Sequence, residues 1–81
     1  MKYDDYSDES KKYAKEITIE CIRRDMSLGD LERGVNLSLG YISRCRNGSK
    51  YMSINAIEAI SKFLDVDLIE RIHYKEDSNE Q

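Results

Sequence analysis

Between Ser27 and Gly48 the chain sets two candidate helix caps, Ser27 and Ser38, and two helix-ending signals, Gly34 with Asn36 and the Asn47-Gly48 pair. A serine at a helix start accepts a hydrogen bond from an amide that the first turn leaves without a partner. Glycine or asparagine adopts the left-handed conformation in which helices commonly end. Punctuation this dense permits only two short helices, joined by a turn of about three or four residues. Ser27 and Asp30 have capping-box spacing, with Asp in place of the usual Glu, so the first of these helices starts at Leu28 and ends near Val35 or Asn36. Ser38 caps the second, which stops at Asn47-Gly48.

The remainder reads as helix too. With 81 residues the chain makes one small domain, 40% hydrophobic and 36% charged, without proline or tryptophan. A helix is expected from about residue 8 to Arg24, capped by Ser7, Asp8 or Ser10, with Ala14, Ile17 and Cys21 on one face, Tyr13 nearby, and Arg23 and Arg24 at the end favoured by the helix dipole. Ser53 caps a further helix whose Ile54, Ile57, Ile60, Ser61 and Leu64 follow the three-and-four rule, with Ala56 and Ala59 allowing close approach. Asp67 caps a last one, with Leu68, Ile69 and Ile72 on its apolar side. Those three residues either complete the core or pair with a second copy. The fold class expected is all-α, with five helices and no strand.

Net charge is -3, but unevenly spread. Residues 1–20 sum to -2, residues 21–64 to +3 and residues 65–81 to -4, with Arg44, Arg46 and Lys50 close together in the basic middle. A phosphate-binding face is compatible with such an acidic total. Cys21 and Cys45 have no CxxC spacing and no histidine cluster beside them, so they read as two buried thiols, with no metal site, disulfide framework or cofactor. The acidic MKYDDYSDES start lacks an apolar stretch and no segment is long enough to span a bilayer, so the expected location is cytoplasmic, away from membranes. His73 has no neighbouring nucleophile or carboxylate cluster, which gives no enzyme reading.

Two short helices joined by a tight turn form the helix-turn-helix unit. Residues 27–69 resemble the helix-turn-helix domain of the Cro and phage-repressor (XRE-like) family, through Leu31, Leu37, Ile42 and Cys45, the I-S-R-C-R-N-G run at 42–48 and the S-I-N-A-I-E-A-I-S-K-F-L-D-V-D-L-I-E-R-I segment at 53–72. The resemblance implies a compact five-helix lambda-repressor-like DNA-binding domain, with its third helix (about 38–47) in the major groove. The chain then divides into an acidic N-terminal arm (1–9), a helix-turn-helix domain (10–74, the unit itself about 28–47) and a frayed acidic tail (75–81). With Ile42 pointing inward, a helical turn of 100° per residue puts Cys45 beside it and turns Gly40, Ser43, Arg44 and Asn47 outward. Ser38 and Leu39 stand at the helix start, where amides favour a phosphate or base edge. Arg44 suits a bidentate contact to guanine, Leu39 a thymine methyl, and Lys50 and Tyr51 the phosphate backbone.

Several positions depart from the family pattern. Leu28 stands where glutamine is usual, Glu32 where alanine packs under the third helix, and Asn36 where glycine makes the turn. The family's paired glutamate and arginine are replaced by Arg46 and Cys21, so Glu32 is expected to reach Arg46 as a substitute pair. The partners implied are double-stranded DNA and a second copy of the chain, forming a homodimeric transcriptional regulator on two half-sites. The alternative is a protein-binding module on the same fold, an antirepressor or inhibitor in a phage or mobile-element system. Weak reading residues at Leu39 and Gly40, acidic ends and six tyrosines (Tyr3, Tyr6, Tyr13, Tyr41, Tyr51 and Tyr74) suit it.

Overall fold

A computed structural model describes the backbone of residues 2–72 and the side chains of residues 9–72. His73, Tyr74 and the acidic tail at 75–81 lie outside the described residues, as do the side chains of Tyr3 and Tyr6. The architecture is all-α: α1 (Lys2–Arg23), α2 (Leu28–Gly34), α3 (Tyr41–Arg46), α4 (Ile54–Leu64) and α5 (68–72). No described helix is long and apolar enough to cross a membrane.

The starts of α2, α4 and α5 follow directly from local chemistry. Ser27 Oγ accepts from Asp30 N at 3.0 Å, Ser53 Oγ from Ala56 N at 3.1 Å, and Asp67 Oδ1 from Glu70 N at 3.0 Å. α1 departs from expectation, because its helix begins at Lys2 rather than near residue 8. Ser10 therefore lies inside the helix, where its buried hydroxyl accepts from Met52 N at 2.9 Å, a tertiary role instead of a cap.

The four helices α1 to α4 end alike. In each, one amide reaches five residues back and the preceding amide three: Met26 to Cys21 and Asp25 to Ile22, Leu37 to Glu32 and Asn36 to Arg33, Ser49 to Arg44 and Gly48 to Cys45, Val66 to Ser61 and Asp65 to Lys62. This paired closure needs a left-handed residue, supplied by Asp25, Asn36, Gly48 and Asp65, with φ of 57°, 64°, 88° and 58°. Met26, Leu37 and Val66, the residues that follow three of these turns, fold back against the core.

That core gathers Ala14, Ile17 and Cys21 of α1, Leu31 of α2, Ile42 and Cys45 of α3, and Ile57, Ile60 and Leu64 of α4. Leu68 and Ile72 of α5 are buried in it, so they complete one chain's interior and leave only Ile69 half-buried. Ile54 and Ala59 do not join the buried side of α4, being exposed. A charged cluster fastens α5 and α4 to α1. Arg71 Nη1 donates to Glu16 Oε2 at 3.2 Å and Glu20 Oε1 at 3.0 Å, while Arg24 Nε donates to Glu20 Oε2 at 2.8 Å. Arg24 Nη2 also donates to the Leu64 carbonyl, one of the acceptors that the end of α4 leaves open. Hydrogen bonds from Arg24 and Arg71 hold the Glu20 carboxyl below its ordinary pKa.

Candidate nucleic-acid interface

α3 is held from behind. Tyr41, Ile42 and Cys45 are buried, and α1 packs closely against this side. Ser43, Arg44, Arg46 and Asn47 are turned to solvent, as a helical period of 3.6 requires once Ile42 points inward. Burial pushes the Cys45 thiol up in pKa, against the opposing influence of Lys50 and Arg44, and burial does the same to Cys21. Both are free thiols that fill space beneath the outward face.

The start of α3 differs from expectation in two linked ways. Ser38 does not cap it: the residue before the first helical turn is Gly40, at φ 86° and without a side chain to offer. The cap comes from α2. Glu32, only 2% exposed, accepts from Gly40 N through Oε1 at 3.0 Å and from Ile42 N through Oε2 at 2.9 Å, while Tyr41 N donates to the Ser38 carbonyl at 3.2 Å. Both carboxylate oxygens are thus engaged by backbone amides, and the expected pairing of Glu32 with Arg46 does not form; Arg46 is exposed at the other end of the helix. A buried carboxylate gains more from amides that a helix start leaves open than from a solvated guanidinium. The Gly40 and Ile42 amides consequently point at the protein interior rather than at a phosphate or base. The left-handed backbone at Gly40 lets both amides converge on one carboxylate.

Four residues gather at one end of the outer face of α3. Arg44 folds back over Gly40 and donates to Ser38 Oγ at 3.2 Å and the Leu39 carbonyl at 3.4 Å, so residues 38, 39, 40 and 44 come together. Leu39 is 61% exposed at the tip. Ser43 precedes Arg44 on the exposed side, and Asn47 Oδ1 accepts from Ser49 N at 3.1 Å and from its hydroxyl at 2.8 Å. Lys50 is exposed, with Nζ 5.3 Å from the Tyr41 ring centroid, and the Tyr41 hydroxyl accepts from Ser53 N at 3.2 Å. Tyr51 is half-buried. Leu28, where the family's glutamine would stand, is half-buried against the core and serves packing.

A family model for the Cro/C1-type HTH DNA-binding domain matches residues 16–77. The chain belongs to this family. Comparison with curated proteins and with solved structures gave no match. Sequence reasoning missed the placement of two residues near this face, Glu32 inside the Cro/C1-type domain match and Lys11 before it. Glu32 was read as a partner for Arg46, whereas its capping role depends on the turn between α2 and α3 bringing its carboxylate to the Gly40 and Ile42 amides. Lys11 gave no local signal, since its place beside Gly48 follows from how α1 packs.

Proposed function

We propose that this chain is a sequence-specific DNA-binding transcriptional regulator of the Cro/repressor type, working in the cytoplasm as a homodimer, with α3 in the major groove of double-stranded DNA. One observation carries the reading: from Ser38 to Lys50 the chain has three cations, Arg44, Arg46 and Lys50, and no acid, all three exposed on or just beyond a helix braced by buried Ile42 and Cys45. In a chain of net charge -3, such a segment supports an anionic partner. Ser43, Arg44 and Asn47 are the base-reading candidates, with Leu39 against a thymine methyl and Lys50 and Tyr51 on phosphate. Ser38 and Gly40 contribute by shaping the helix start and by holding Arg44 until it meets DNA.

The test is binding of the full chain to mixed-sequence duplex DNA at two salt concentrations, with Arg44→Ala beside the wild type. Salt-sensitive binding that the substitution weakens is expected, with a loss of about 1–3 kcal/mol at a preferred site. Absence of binding at low salt would overturn the reading in favour of a protein partner.

A further inference from the structure

We propose that Lys11, on the part of α1 that precedes the family-matched residues, is a phosphate-contacting residue of the DNA interface. The inference rests on the DNA-binding reading above and extends it to a segment outside the match, which starts at residue 16 while α1 starts at Lys2.

This part of α1 is fastened to the loop that follows α3. Ser10 accepts from Met52 N at 2.9 Å, and Ser10, Tyr13, Ala14 and Met52 are all buried. The anchor leaves exposed Lys11 facing the turn at Gly48. A Cβ on Gly48 would meet Lys11 Cε at 2.9 Å and Nζ at 3.4 Å, so the end of the lysine side chain lies against the bare backbone of that glycine. Gly48 is the left-handed residue that ends α3, at φ 88°, and its missing Cβ leaves the space that the end of the lysine occupies. Lys11 is exposed, so an ammonium held at this turn stays open to a phosphate from solvent. The ammonium thereby sits beside the end of the reading helix, between α1 and the loop that carries Lys50.

Diffuse attraction does not account for such a role. Residues 2–15 contain Lys2, Lys11, Lys12 and Lys15 against Asp4, Asp5, Asp8 and Glu9, a sum of zero. What the extension adds to a polyanion's binding is therefore one placed cation rather than a field. A single phosphate contact has a characteristic readout: it contributes about 0.9 to the slope of log K against log salt on B-DNA, equally for every sequence.

The experiment is a fluorescence-anisotropy titration of the full chain against mixed-sequence duplex across a series of salt concentrations, with melting temperatures recorded for each variant. Lys11→Ala is expected to reduce the slope by about 0.9 and to weaken binding about eightfold at 0.1 M salt, with an unchanged melting temperature. Lys11→Arg keeps the wild-type slope. Lys15→Ala, one turn further along the same helix, keeps it as well. An unchanged slope in Lys11→Ala, or an equal fall in Lys15→Ala, overturns the assignment while leaving the DNA-binding reading intact. No binding by the wild type overturns both.

Discussion

Replacing Glu32 with alanine, the residue the family favours there, removes both acceptors from the start of α3. The Ile42 amide is buried and loses a charged partner, a loss of about 2 kcal/mol. The Gly40 amide is only partly buried and recovers water, so its share is about 1 kcal/mol. The sum, about 3 kcal/mol, is a large fraction of the roughly 4–12 kcal/mol expected for a domain of this length. It corresponds to a fall on the order of 15 °C in Tm. Urea unfolding followed by circular dichroism at pH 7 measures it directly. Glu32→Gln recovers only part, because its oxygen still accepts from one amide while its NH2 group faces the other, which also donates. Arg46→Ala, which removes an exposed side chain not paired with Glu32, should change stability by less than about 0.5 kcal/mol. A loss under about 1 kcal/mol in Glu32→Ala, with helical signal gained, would refute the reasoning. It would mean that α3 can wind back to a Ser38 cap once the carboxylate is gone.

Three other outcomes follow from the same contacts. Glu20 has its folded-state pKa depressed below the ordinary 4.5, first by Arg24 and then by Arg71. Its stabilisation is therefore complete above that value and disappears as pH falls through the lower folded-state pKa, so urea midpoints from pH 7 to pH 3 should drop less steeply in Glu20→Gln. Asp65 ends α4 at φ 58°, and Asp65→Gly should raise stability by about 0.5–1 kcal/mol by relieving that conformation; a lower urea midpoint would contradict the reading. Cys21 and Cys45 are buried with raised pKa, so alkylation at pH 8 should proceed at the rate of opening and accelerate with urea, and immediate labelling of the native domain would contradict the packing described.

Legibility in the sequence tracked the range of each interaction. Ser27, Ser53 and Asp67 were readable as caps because each bonds an amide three residues on, and the inward pair Ile42 and Cys45 because helical period alone places them. Asn36 at the left-handed turn was readable for the same local reason. Ser38 looked like an equally good cap, yet lost to a carboxylate from another helix, a competition that no local window contains. Similarly, Ser10 was a plausible cap until Met52, 42 residues away, gave its hydroxyl a buried partner. Glu16 and Glu20 carried no signal in the sequence, because Arg71 stands 55 and 51 residues further along the chain. The outward face of α3 was legible as positions but not as geometry, since Arg44 folding back over Gly40 depends on how the helix begins.

The cluster of Glu16, Glu20, Arg24 and Arg71 also sets when this domain can finish folding during synthesis. Until residues 68–72 leave the ribosome, the nascent α1 carries two carboxylates on a face that later becomes buried, without the guanidinium that joins them. Leu68 and Ile72, which close the apolar core, arrive in the same few residues. The guanidinium that joins the two carboxylates and the residues that close the core are therefore supplied together by a late-emerging segment, and the ordered state is reached after translation of α5 rather than helix by helix.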